Sequence, residues 1–265
     1  MPLFKYSAAN QLPLQQNPMH QFAMRHAMQL FYHDAIYSFI PKNACSTMRL
    51  SLAVANGCID GIEQGHWIHK NNNTFMPTLA EAARSSYKFV ILRCPFRRLA
   101  SVYLDKFVAK ETNAWAYRDI LQRTIELDDL TFQDFVFSLK KPSIFNSDIH
   151  WRSQSAFLLY EEYSDYFALE HFDKAIVKLK DKIGLEVIDA RSLTTHGIDG
   201  YELLDDKNYS QMAAFDIAVL KRQGECPSPA SLYTPELIEI VRNMYAQDFV
   251  LYSKKCNKDD LLFQL

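Results

Sequence analysis

Apolar positions along this chain follow two periods, and the switches between them mark its organisation. Ile36 to Ile40 is a short apolar and aromatic run ending at Pro41, and the next segment, Cys45 to Asn56, carries apolar residues at Met48, Leu52, Val54 and Ala55. The first pattern predicts a buried strand and the second a helix, with Gly57 where a C-terminal cap falls. Tyr87 to Leu92 repeats the arrangement. YKFVIL runs into Arg93-Cys94-Pro95, after which Phe96, Leu99, Val102, Tyr103 and Phe107 recur at helical spacing. Pro95 suits the first turn of such a helix. Two strand-loop-helix units with apolar strands predict a parallel sheet covered by helices, an α/β fold. Both loops then leave the C-terminal ends of their strands, where open sheets bind ligands.

The rest of the chain is less sharply patterned. Residues 1–33 are polar, with Pro2, Pro13 and Pro18, and read as an irregular arm with one short helix around Gln21 to Leu30; residues 34–265 read as a single α/β domain. Gly61 to Asn73 reads as a short strand or loop, and Thr78 to Ser85 as a helix. Asn113 to Lys141 is amphipathic and helical, broken at Leu127-Asp128-Asp129-Leu130. Phe145 to Gln154 has the polar and aromatic character of a binding loop. A short strand at Tyr166 to Leu169, a helix from Phe172 to Ile183 ended by Gly184, a loop from Asp189 to Tyr209 and a helix from Ser210 to Arg222 follow. Cys226 to Ser231 is a break, and Thr234-Pro235-Glu236 opens the last helix. No internal repeat or long linker is visible.

Composition narrows the classes. Hydrophobic residues make up 48% and charged residues 23% of 265, which excludes disordered and fibrous proteins. With 29 Lys+Arg against 31 Asp+Glu the net charge is -2, so no global field recruits nucleic acid or an anionic membrane, and any anion site must be local. Five cysteines form no CxxC pair, which indicates neither zinc nor a disulfide framework. His20, His26 and His33 lack partners at ligand spacing, so no metal is expected. Residues 1–30 contain no apolar run near the ~20 residues of a membrane span and no signal-peptide pattern. The expected state is soluble and cytoplasmic; a chain trimmed of a Golgi-type membrane anchor would read the same way.

The loop after the first strand, Lys42-Asn43-Ala44-Cys45-Ser46-Thr47, combines a cation, two hydroxyls and small residues with a helix N-terminus. That is a recipe for holding phosphate or sulfate. The loop lacks the glycines of a Walker motif, which leaves a P-loop-like nucleotide-dependent kinase as the alternative enzyme. Cys45 and Cys94 read as small space-fillers rather than redox groups. The lysines at 174, 178, 180 and 182 read as the solvated face of a helix.

PKNACST followed by FVILRCPFRRLASVYLDKF resembles the paired motifs of sulfotransferases that use 3′-phosphoadenosine 5′-phosphosulfate, specifically the carbohydrate branch, sulfotransferase family 2. Asp148-Ile149-His150-Trp151-Arg152-Ser153-Gln154 is similar to that family's D-x-HW-x-x-Q region, with Ser153 where proline is frequent. TPELIEIVRNMYAQDFVLY is similar to its C-terminal helix. The resemblance spans Ile36 to Tyr252. It implies a P-loop-like three-layer fold with a central, mostly parallel sheet flanked by helices. It also implies in-line sulfuryl transfer to a hydroxyl, expected on a carbohydrate or glycoconjugate, with adenosine 3′,5′-bisphosphate as product.

On this resemblance Lys42, the amides of Asn43 to Thr47 and the hydroxyls of Ser46 and Thr47 hold the 5′ end of the donor. Arg93 and Ser101 hold its 3′-phosphate with Arg98 in support. Lys42 stabilises the leaving group. A histidine between the motifs is the expected base, His69 first and His66 second, since either can point inward. His150, Trp151 and Gln154 are the candidate acceptor contacts, with the role of base also left open for His150, and Trp151 could equally pack in the core. An inactive homologue that binds a glycan or a partner protein is the non-enzymatic alternative.

Overall fold

The computed structural model describes residues 4–7, 12–71, 73–193, 197–198 and 200–264. Residues 1–3 and 8–11 of the expected arm, and 194–196 and 199 of the expected 189–209 loop, lie outside them. Asn17 caps the first helix, α1 (Pro18–Arg25), by accepting from the N–H groups of Met19 and His20. The helix expected to reach Leu30 stops there. Ala27–Leu30 is instead a buried strand, β1, antiparallel to β2 (Ala35–Ser38). Four residues cannot distinguish strand from helix by period, and the ladder to β2 decides the matter.

The next elements follow the sequence reading more closely. Helix α2 (Cys45–Ala55) is followed by Gly57 at φ 70°. The expected strand or loop at 61–73 contains a short helix, α3 (Trp67–Lys70). Helix α4 (Leu79–Arg84) opens with a capping box between Thr78 and Glu81, and β3 (Tyr87–Leu92) leads to α5 (Pro95–Val102), extended by a π turn at Tyr103–Phe107. Further on come α6 (Thr112–Ile120), α7 (Phe132–Ser138), α8 (Pro142–Phe145), β4 (Asp165–Ala168) and α9 (Phe172–Ile183), the last closed by Gly184 at φ 60°.

Two short strands were not anticipated. Strand β5 (Glu202–Leu204) lies in the expected 189–209 loop, and its parallel partner β6 (Glu225–Pro227) enters the expected Pro/Ser break. Both are three residues long, below the reach of a periodicity argument. Helix α10 (Ala214–Arg222) separates them. The single last helix is two, α11 (Pro235–Met244) and α12 (Ala246–Lys255), divided at Tyr245. Among the described residues no helix is long and apolar enough to cross a membrane.

The chain forms two compact units. The first comprises Met1–Arg93, Ser153–Thr195 and Leu251–Asn257. Its sheet has the order β1-β2-β3-β4, with β2, β3 and β4 parallel, so it is central and mostly parallel as expected. Tyr37 pairs with Phe89 in the ladder and stacks on it at 5.2 Å, and Ile91 pairs with Phe167. These side chains share a core with Met48 and Leu52 of α2 and with Ala175, Leu179 and Ile183 of α9. On the opposite face the Ser38 hydroxyl meets that of Tyr163 at 2.6 Å. The lysines of α9 are exposed, as its apolar stripe requires.

The second unit comprises Cys94–Arg152, His196–Val250 and Lys258–Leu265. Its centre is Trp151, 1% exposed and ringed by Phe107, Tyr117 and Phe135, with Nε1 donating to Ile144 O at 2.8 Å. Trp151 therefore packs in the core and presents no face on which a sugar could stack, which corrects its place among the acceptor contacts. Trp151→Ala should lower unfolding free energy by about 3–5 kcal/mol. In urea unfolding, Trp151→Phe should lose distinctly less, because it keeps most of the packing and drops only the indole donor.

Candidate functional site

The first motif occupies the exit of β2. Lys42 and Ala44 both adopt left-handed backbone, φ 71° and 55°, a conformation that costs an L-residue about 1–2 kcal/mol. Ala44 is the N-cap of α2, and alanine offers no oxygen to the first-turn N–H groups of Cys45, Ser46 and Thr47. A left-handed residue followed by a helical one turns successive N–H groups toward one side and makes an anion-binding nest. The missing glycines thus do not mean a missing phosphate-loop shape. Thr47 is buried and its hydroxyl accepts from Ala190 N at 3.3 Å, while Ser46 and Cys45 are half-buried.

The conformation is held from below. Asn43 is fully buried, and its Nδ2 donates to Ile91 O at 2.8 Å and to Gln154 Oε1 at 2.6 Å. The same Gln154 oxygen accepts from Arg93 N at 3.0 Å, and Gln154 Nε2 donates to Arg93 O at 2.8 Å. The Arg93 guanidinium closes the ring by donating to Lys42 O at 2.9 Å. Because β2 and β3 are parallel neighbours, Lys42 and Arg93 leave one edge of the sheet together. Gln154 is 1% exposed, so it rivets the two loops and does not face an acceptor, a second correction to the sequence reading. Nothing in the spacing of Gln154 from either motif signals this role.

The sequence-predicted histidines of this unit share one short turn. His66 is the N-cap of α3 and His69 lies within it, both exposed. Sequence reasoning missed the residue that positions them. Arg49 of α2 is buried, lies over the Phe39 ring at 5.6 Å and donates to Ile68 O, which ties α3 to the helix of the anion loop. Burial lowers its guanidinium from the ordinary value.

In the second unit, α5 carries Arg98 and Ser101. Ser101 is half-buried. Arg98, expected near a phosphate, is 3% exposed and donates to Arg152 O at 2.8 Å and Ile149 O at 3.4 Å. Those carbonyls flank His150. Asp148 Oδ1 accepts from the His150 backbone N–H at 2.8 Å and lies 2.7 Å from its ring Nδ1, while Asn113 of α6 donates to Asp148 Oδ2 at 2.6 Å. Burial pushes the Asp148 carboxyl up, but the His150 ring and amide together with Asn113 outweigh it and hold the group below its ordinary value. The D-x-H spacing is legible as an Asx turn; Asn113, from another helix, is not. Cys94 is buried and its sulfur accepts from Leu262 N at 3.3 Å, a packing role.

Comparison with known proteins places these features in a family. The profile described as the sulfotransferase family matches residues 31–255. Carbohydrate sulfotransferase 10 of Xenopus laevis is 30% identical over 131 residues, 42% of this chain and 37% of that protein. Carbohydrate sulfotransferase 11 of Rattus norvegicus is 30% identical over 149 residues, 46% of this chain and 42% of that protein. Carbohydrate sulfotransferase 14 of Danio rerio is 26% identical over 155 residues, 52% of this chain and 41% of that protein. The chain spans about two fifths of the length of these relatives. No solved structure matches.

The rivet makes a direct prediction. Gln154→Leu keeps the volume but removes the acceptor that Gln154 supplies to Asn43 Nδ2 and Arg93 N, and should cost about 1–3 kcal/mol in denaturant unfolding. In the Gln154→Leu, Asn43→Leu double mutant the two costs should not add, because both remove one interaction.

Proposed function

This chain belongs to the sulfotransferase family, and on that premise we propose that it moves a sulfuryl group from 3′-phosphoadenosine 5′-phosphosulfate to a hydroxyl of a carbohydrate. The observation that carries the reading is the Pro41–Thr47 loop, whose left-handed Lys42 and Ala44 prepare a nest of N–H groups beside a lysine. This donor set, one cation with backbone amides and the Ser46 hydroxyl, fits a phosphosulfate. The relatives' shared name, carbohydrate sulfotransferase, supports the acceptor class.

Bound 3′-phosphoadenosine 5′-phosphosulfate supplies the activated sulfuryl group. Lys42 stabilises the negative charge that develops on the leaving oxygen, and the amides of Ala44 to Thr47 orient the 5′ end; the Asn43 N–H, expected to join them, is donated to Ile40 O at 3.3 Å. Arg93 and Ser101 take the 3′-phosphate. Arg98 serves the same motif indirectly, by fixing the backbone at Ile149 and Arg152. The acceptor hydroxyl needs a base, and the candidates are His69 and His66 on the turn held by Arg49, and His150 beside Asp148.

Calorimetric titration with adenosine 3′,5′-bisphosphate should show binding, and the ligand should raise the melting temperature. Absence of binding at millimolar ligand overturns the donor assignment, and stabilisation by Mg²⁺-ATP alone would point to the kinase reading. Lys42→Ala should lower turnover about 10²–10³-fold. Near-wild-type turnover in that variant would remove Lys42 from the chemistry.

A further inference from the structure

Arg49 is a buried cation without a counter-ion among the described residues. It lies in the body of α2, 9% exposed, and donates to Ile68 O. A guanidinium carries five N–H groups and stays protonated in a protein, so most of its donors and all of its charge are left to be met by something else. The Phe39 ring, 5.6 Å away, offers a π face, and no carboxylate figures among the groups that act on the charge. Taking such a charge out of water without an ionic partner is costly, which suits a site that an anion completes. The position of Arg49 says which anion. Arg49 follows Cys45 by four residues, so the two are neighbours on one face of α2, and helical side chains lean toward the N-terminus. Cys45 and Tyr37 are accordingly the groups whose electrostatic influence reaches the guanidinium. Cys45 is the first residue of α2, and its N–H belongs to the nest that the left-handed Lys42 and Ala44 prepare. Every one of these residues lies in the first unit.

Resting on the sulfuryl-transfer reading, we propose that Arg49 is a second cation for the 5′ end of the donor, meeting it from the α2 side while Lys42 meets it from the loop. A 5′-phosphosulfate carries a negative charge on its phosphate and another on its sulfate, and Lys42 offsets one of them. Arg49 offsets the other, and the anion becomes the counter-ion that the buried guanidinium lacks. The planar group, fixed by Ile68 O on one side and the Phe39 ring on another, presents its remaining N–H groups as a fork to phosphate or sulfate oxygens. Lysine at this position would supply a charge without the fork.

Calorimetric titration of the full chain with two nucleotides tests this. Adenosine 3′,5′-bisphosphate carries the 5′-phosphate, and adenosine 3′-monophosphate lacks it. Arg49→Met should weaken the bisphosphate by about 10–100-fold, the worth of a charge-assisted hydrogen bond, and leave the 3′-monophosphate unchanged. Unchanged bisphosphate affinity overturns the proposal. So does an equal loss for both nucleotides, because a merely structural arginine would disturb the unit without distinguishing the 5′ end. If Arg49→Met does not fold, Arg49→Lys decides by the same comparison: a loss confined to the bisphosphate supports the fork, and wild-type affinity for both overturns it. A wild-type chain that binds neither nucleotide overturns the donor assignment instead. Inorganic sulfate then still tests the cation: it should raise the melting temperature of the wild type more than that of Arg49→Met, and equal shifts overturn the proposal.

Discussion

The amide of Gln154, buried among Asn43 and Arg93, is the interaction on which the candidate site depends. Its oxygen accepts from Asn43 Nδ2 and from Arg93 N, and its nitrogen donates to Arg93 O. Inside a protein each of these groups would be costly to leave unpaired, so the three satisfy one another or the loops come apart. The geometry also explains why parallel pairing of β2 with β3 matters. It sends two cationic loops out of one sheet edge, and a single side chain from a distant part of the sequence then fixes their separation.

That rivet makes an unfavourable backbone tolerable. Lys42 and Ala44 sit in left-handed conformations that glycine would take without penalty. Strain of this kind persists where the surroundings over-determine it, and here the buried Asn43 between the two residues, anchored to Ile91 O and Gln154, supplies the determination. The result is a phosphate-loop shape made without glycine, with a lysine at one of the positions glycine would otherwise occupy. The stabilisation lies in tertiary hydrogen bonds while the chemistry lies in the backbone they hold.

The second unit applies the same principle to a different end. Arg98 donates to the carbonyls of Ile149 and Arg152, which contributes to the shape of the His150 turn. Asp148 in turn is held ionised by the groups it accepts from, against its own burial. Arg98, which looks like a ligand from its charge, positions a neighbouring turn. Trp151 and Gln154 show the apolar and polar versions of that outcome, one filling a core and the other joining two loops.

The sequence by itself determined the elements that are long or sharply punctuated. Strand β3, the helix begun by Pro95 and the helix closed by Gly184 were legible because apolar period, proline and glycine all agree there. The paired cationic loops were legible for the same reason, and with them the family. Tertiary structure alone decided β1, β5 and β6, since three or four residues carry no readable period until a partner strand supplies the hydrogen bonds. It also decided the roles of Gln154, Arg49, Arg98 and Asn113. A polar side chain's type states what it can donate or accept, but which group it meets depends on segments brought together by the fold, and local sequence holds no record of that pairing.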